Sequence, residues 1–564
     1  MVDMTPAQIL VSPLIVDQGA GMADPGDPTM HRLSRLLESE ATDRRTFLLR
    51  TAALGLTASS ATSVLAACSG GDGDSKTGVS TESAPPAKRG GSIQVGMTDF
   101  FSTDTIDPAQ PVSGFGLMHG ANVFETLTDV DQEFGPAPRL AELWESSEGA
   151  TVWTFDLRQG VQFHDGKSLT AKDVVYSFQR QFAKETAASF LPLISGIVDP
   201  KQVVALGDNR VQFTLSRPHA YFPVLVAVAS FAIVQDGAND FTKPPGTGPY
   251  KVVEYKQGER VEWSRNENYW VSDKPYLDSI RILQFQDPAA KLQSVISGDL
   301  DIADPVEFTS LPTVDQASGV KKVALEDALF VPTSCDQTQE PFRDVKVRQA
   351  FKHAIDRERY VNAVFGGQAT VTADIPIPKS DPFYPSDIQP LEHDPERAKA
   401  LLREAGYPDG LDIECYTSPT APGEVDAAVA FKDIMSASGI RVQPINQSPD
   451  QFFAEAFLVK PFVVGALLRQ HASVIAPLVY TTNATFPQSQ FGNATFDGLI
   501  AEAIGTEDEA KSKEVFAEAW NLMNNECGEL IPAHHDRIWI AKNPVHGLKI
   551  DFTQMVDWRE AYVA

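Results

Sequence analysis

Few residues in this chain of 564 could do covalent or metal chemistry: ten histidines and four cysteines are scattered along it. The run from Gly160 to Gly166-Lys167-Ser168 approaches a phosphate-cradling loop. Five residues separate the first glycine from Gly-Lys-Ser, however, where the loop geometry requires four. Gly114, Gly116 and Gly120 miss a dinucleotide fingerprint by one residue in the same way. No HExxH, GxSxG or CxxC pattern occurs. His534-His535 is an adjacent pair, but neighbours on a strand point to opposite faces and would not share a metal. Nothing assembles a nucleophile, a base and an orienting group, so no enzyme, metal or cofactor is predicted.

The N-terminus carries chemistry of another kind. Arg44-Arg45-Thr46-Phe47-Leu48 opens a stretch rich in Leu, Ala, Ser and Thr, with no acidic residue before Asp72. A buried helix or a membrane span would need a more apolar run, since Arg50 and many small polar residues dilute this one. A basic start, an apolar middle and small residues before a cut describe an export signal. Arg44, Arg45, Phe47 and Leu48 resemble a twin-arginine signal, which exports folded proteins in bacteria. Leu65-Ala66-Ala67-Cys68 resembles a lipobox, in which the cysteine becomes the lipid-bearing first residue. Acyl chains gain about 0.8 kcal/mol per buried methylene and so tether a domain to a bilayer. Residues 1–67 are therefore expected to be a signal peptide, with Met30 a more typical start than Met1. Residues 68–88, rich in Gly, Ser, Thr and Pro, read as a flexible linker spanning roughly 25 Å.

The elements beyond the linker alternate. Ile93, Val95 and Met97, then Trp153, Phe155 and Leu157, then Val211, Phe213 and Leu215, show the period of half-buried strands. Thr170 with Asp173 forms a capping pattern before Val174, Phe178 and Phe182 on one helical face. A second helix is predicted from Val347 through Phe351 and Ile355 to Val361, and a third from Asp394-Pro395 to Gly406. With 43% hydrophobic and 22% charged residues the chain can bury a large α/β core, in three or four units of roughly 150 residues. Its 75 acidic against 47 basic residues give −28, a poor match to the phosphate backbone of a nucleic acid, so no such partner is predicted. Removing residues 1–67 takes away seven acidic and five basic residues and leaves −26. Cys335, Cys415 and Cys527 would remain, enough for one disulfide, with the pairing left open.

Ordered blocks then carry a specific resemblance. Arg89-Gly90-Gly91-Ser92-Ile93 leads to Asp107-Pro108, Phe124-Glu125-Thr126-Leu127 and the run Pro138 to Trp144. Leu157 to Gly166 runs into Thr170-Ala171-Lys172-Asp173-Val174, followed by Gly246-Thr247-Gly248-Pro249-Tyr250 and the run Arg265 to Trp270. Pro341 to Phe351 and Ala354 to Arg357 complete the series. Together these resemble the extracytoplasmic solute-binding proteins of ABC transporters, in the peptide, dipeptide and nickel family. The resemblance implies a two-lobed periplasmic-binding-protein-like fold (type II, cluster C). Lobe I is expected at 89–334 with a subdomain at 138–235, lobe II at 335–539 and a return to lobe I at 540–564. The two crossings between lobes should lie side by side near Asp336 and residue 535. It further implies a monomer, lipid-anchored on the extracytoplasmic face, that captures a peptide-like or other small molecule and delivers it to a permease and ATPase. A ligand sensor without transport and a secreted hydrolase are the alternatives.

Departures from the family pattern bear on the ligand. Members commonly carry Asn-Thr six residues before the position of Phe342, where this chain has Asp336-Gln337. Peptide binders commonly place an Asp in the second lobe to pair with the ligand amine. The corresponding stretch, Leu467 to Ser473, has Arg469 and His471 instead. Replacing a carboxylate by Arg469 and His471 would favour a carboxylate or another anion as ligand. Phe100, Phe101 and Phe115, which follow the first strand, are the expected apolar walls.

Overall fold

The computed structural model describes residues 85–111, 113–131, 134–550 and 556–564. The export signal and Cys68 lie outside the described residues. Two sheets and a smaller third one organise the rest. The largest has nine strands; in order across it run Leu467–Leu468, Val320–Phe330, Ala533–Lys542, Ile302–Asp304, Ser92–Met97, Ser279–Gln284, Arg260–Arg265 and Tyr250–Lys256, with Ala369–Val371 also on Ala533–Lys542. Ser92–Met97 lies at its centre, parallel to both neighbours, and Ile93, Val95 and Met97 are each 1% exposed. The second sheet orders Ile440–Asn446, Leu411–Thr417, Phe462–Val464, Thr333–Cys335 and Glu529–Leu530.

The chain passes from the first sheet to the second through Val331-Pro332 and returns through Ile531-Pro532. These passages run side by side. Phe330 pairs with His534 on one side of them, and Thr333 with Leu530 on the other. Proline lacks the N–H that would continue a ladder, so each strand ends there. The carbonyls stay in use: Pro332 accepts from Gly465 N–H at 3.0 Å and Pro532 from Thr372 N–H at 3.1 Å.

The third sheet, four antiparallel strands between Ala141 and Leu215, packs Phe155, Val211 and Phe213 against the helix Ala171–Gln181. In that helix Val174 and Phe178 are buried and Phe182, its C-cap, is half-buried. The Asp173 carboxylate accepts the Thr170 N–H at 2.8 Å and the Asp236 N–H at 2.8 Å, so one side chain caps the helix and ties down a loop. The expected helix through Val361 is instead two helices, Val345–Ala354 and Arg357–Phe365. Asp356 stands between them and caps the second, accepting from Arg359 N–H at 3.0 Å, which stops the first at Ile355. The turn His164-Asp165-Gly166 is pinned from the far side. The His164 Nδ1 accepts the Gly246 N–H at 3.2 Å, leaving Nε2–H to donate to the Gly248 carbonyl at 2.9 Å. Glycine is required at 246, because a Cβ there would lie 1.8 Å from the Val123 carbonyl oxygen. Cys335, Cys415 and Cys527 are free, buried thiols, and burial pushes the Cys527 thiol up to about 12.

Candidate functional site

Where the two sheets meet, Val320–Phe330 loses register against Ala533–Lys542 between Leu325 and Leu329. Asp327 sits at the break with φ +50°, its N–H donating to Asp536 Oδ1 at 3.0 Å. Its carboxylate accepts from the Ser380 hydroxyl at 3.1 Å. Past the break, Leu329 and Phe330 pair with Leu468 and Leu467, so a segment departing from the second sheet is stitched onto the edge of the first. The next residue is Arg469, whose N–H donates to the Ala328 carbonyl at 3.0 Å.

Arg469 is 8% exposed, with its guanidinium 3.9 Å over the Phe134 ring. Burial lowers its pKa, opposed by the carboxylates of Asp381 and Asp327. Asp381 is as deeply set: Oδ1 accepts the Phe383 N–H at 2.8 Å, while Oδ2 is buried without a hydrogen-bond partner among the described residues. Burial pushes Asp381 up to about 6, against the pull of the Phe383 N–H, Arg469 and Lys513. His534, beside Arg469, is held neutral, down to about 3, by burial first and by the guanidinium second. The arrangement offers one guanidinium with an aromatic floor and one carboxylate with spare accepting capacity.

The other sequence-predicted residues fall in three separate places. His471 shares the segment of Arg469 but caps the short helix Ala472–Ile475, Nδ1 accepting from Ser473 N–H at 3.1 Å and lying 2.8 Å from its hydroxyl. Its ring packs between Tyr221 and Phe383, at 4.9 and 4.7 Å, and burial holds its pKa down to about 3, so it adds no positive charge. Asp336 and Gln337 follow the strand Thr333–Cys335. Asp336 accepts from Thr338 N–H at 2.8 Å and from Gln339 Nε2 at 2.6 Å, and the Gln337 N–H donates to the Ser489 carbonyl. Phe100 and Phe115 stack at 3.9 Å, both fully buried in the core around the first strand, and Phe101 beside them is half-buried.

Sequence reasoning missed Phe134, Asp327, Asp381 and His534, and also a second charged group. At the carboxyl ends of Ser92–Met97 and Ile302–Asp304, where α/β sheets place ligands, Arg537 donates to both oxygens of Asp304 at 3.0 and 3.1 Å. Lys291 Nζ donates to the Asp304 carbonyl at 3.0 Å and to the Thr98 hydroxyl at 3.1 Å. Asp99 accepts the Gly114 N–H at 2.8 Å and is pushed up to about 6 by desolvation, despite Arg537. The four prolines of 376–385, with Ser380-Asp381 between them, were the available sign of a turn-rich wall around Asp381.

Comparison with known proteins follows the same lines. Residues 135–457 match the family described as bacterial extracellular solute-binding proteins, family 5, middle. The chain is 27% identical over 434 residues to heme-binding protein A of Haemophilus influenzae, covering 70% of this chain and 78% of that one. It is 26% identical over 470 residues to the dipeptide-binding protein of Escherichia coli K12, covering 73% and 84%. Among solved structures, the periplasmic binding protein AgaA of A. tumefaciens R10, in complex with agropinic acid, superposes with a TM-score of 0.75 at 23% identity. That superposition covers 84% of this chain and 99% of AgaA.

Proposed function

We propose, from the premise that this chain belongs to the bacterial extracellular solute-binding proteins of family 5, that it closes on a peptide-like solute bearing a carboxylate. It passes that solute unchanged to the permease and ATPase of an ABC importer. The fold is the two-lobed periplasmic-binding-protein type, and the lobes move about the paired passages at Pro332 and Pro532, with lobe II ending at the second passage rather than at the expected 539, because Ala533–Lys542 pairs within the first sheet. A ligand favours the closed state by as much as its affinity for the two states differs. The observation that carries the ligand class is the Arg469 guanidinium, buried over Phe134 at the junction of the sheets. A guanidinium there suits a carboxylate, bound bidentately. The Asp381 Oδ2 would take a donor from the same solute.

Small molecules released from protein purified from its native source, identified by mass spectrometry, would supply the ligand. Calorimetry should then show that Arg469→Ala loses about 2–5 kcal/mol of binding. Unchanged affinity would overturn the assignment.

The protein acts as a monomer, held at the extracytoplasmic face by lipid on Cys68. Among the described residues no helix is long and apolar enough to cross a membrane. Cys68→Ala should release the protein from the membrane fraction, and Lys at both Arg44 and Arg45 should leave an unprocessed precursor.

A further inference from the structure

We infer that a second small-molecule site, separate from the Arg469 junction, lies on the seam between residues 192–225 and residues 473–504, and that it takes a small carboxylate with an apolar body. A cavity of about 440 Å³ opens there, within the roughly 300–1,000 Å³ of small-molecule sites. Leu193 and Ile197 form one apolar wall, and Ile500 and Ile504 the other. Two cationic or hydrogen-bonding side chains join them from the turn Arg217-Pro218-His219.

Both of those side chains have capacity to spare. Arg217, an exposed side chain at the mouth of the cavity, makes no ion pair among the described residues, in a chain whose 75 acidic residues outnumber its 47 basic ones. His219 is 1% exposed, and its Nδ1 has no hydrogen-bond partner among the described residues. A buried polar atom without a partner costs about 1–3 kcal/mol, which a ligand group would recover. Burial, and Arg217 after it, hold the His219 pKa down to about 3, so the ring is neutral and either nitrogen can carry the proton. The lining's carboxylate, Asp497, already accepts the Thr482 N–H at 3.1 Å. An amine would meet the Arg217 charge, whereas a carboxylate would pair with it while its apolar body covered the isoleucines. Because the two walls come from distant segments, a ligand between them stabilises their apposition.

The test uses the full chain and two probes of matched shape, 4-(trifluoromethyl)benzoate and 4-(trifluoromethyl)benzylamine, followed by fluorine NMR. The benzoate should bind with a Kd of roughly 1 mM, at least about tenfold tighter than the amine. Arg217→Ala should weaken the benzoate about tenfold. Ala501→Trp, at an exposed helix position on the cavity lining, should abolish binding while leaving the thermal melt unchanged. Arg469→Ala, which removes the carboxylate receptor at the junction, should retain the benzoate binding that Arg217→Ala weakens. Equal binding of the two probes, parental binding by Arg217→Ala or Ala501→Trp, or loss of binding in Arg469→Ala would each overturn the proposal.

Discussion

Two of the places where the chain buries charge are treated differently. At the ends of the parallel strands, both carboxylate oxygens of Asp304 accept from Arg537 and its carbonyl accepts from Lys291, so the group is closed on itself. At the junction of the sheets, Asp381 accepts a single N–H on Oδ1 and leaves Oδ2 buried without a partner, beside the Arg469 guanidinium. Desolvating a charge is offset only when geometry and hydrogen bonds are complete. The first group meets that condition and holds strands together. The second stays short of it, which is costly for stability and useful for a ligand.

The sharpest way to break this comparison is to remove one partner from the closed group. Asp304→Ala leaves Arg537, 5% exposed, without its bidentate acceptor, and should cost about 3–5 kcal/mol in urea denaturation. Arg469→Ala should cost far less, under about 1.5 kcal/mol, because its backbone link to Ala328 survives. Equal losses in the two variants would erase the distinction between a structural group and the one proposed to receive a ligand.

A second variant sharpens it through pH. Asp381 has a folded pKa of about 6 against an ordinary 3.8. The folded state therefore holds the proton to higher pH than the unfolded state does. Below about pH 3.8 the residue is neutral in both and contributes nothing. As pH rises through that window the unfolded state ionises first, and stability falls until the folded pKa is passed. Asp381→Asn retains an oxygen for the Phe383 N–H and cannot ionise. It should be about 3 kcal/mol more stable than the parent at pH 7 and nearly indistinguishable at pH 3.5. Asp99 titrates over the same range in both proteins and cancels in the difference. A gain independent of pH would show that ionisation of Asp381 is not the cause.

What could be read from sequence follows the range of each interaction. Caps and turns are local, so Thr170 with Asp173, Asp394 with Pro395, and the His164-Asp165-Gly166 turn were all legible. The same locality misled at Ile355, where a hydrophobic face continued in register while Asp356 started a new helix. The alternation of Ile93, Val95 and Met97 marked a central strand, and Phe100 and Phe115 were read as cleft walls because they follow it. They stack into the core instead. The junction could not be read, because Phe134, Asp327, Asp381, Arg469 and His534 come from segments with no shared period. Pairing across the register break brings Asp327, Arg469 and His534 together, and Phe134 and Asp381 reach Arg469 from loops.

The smallest expected effect separates two neighbours in one segment. His471 lies two residues after Arg469, yet its ring is neutral and its Nδ1 is taken by Ser473 at the start of a helix. His471→Phe keeps an aromatic ring between Tyr221 and Phe383 and removes the cap, so it should cost about 1 kcal/mol of stability. His471→Asn keeps an acceptor for the cap and gives up the ring contacts with Tyr221 and Phe383, which are worth about 0.5–1.5 kcal/mol each. Neither should alter ligand affinity measurably, since neither changes the charge beside Arg469. A tenfold weaker ligand in both variants would mean that the imidazole itself touches the solute. In that case the binding surface would extend along the segment toward the Tyr221 contact, and Arg469 would no longer account for the ligand preference alone.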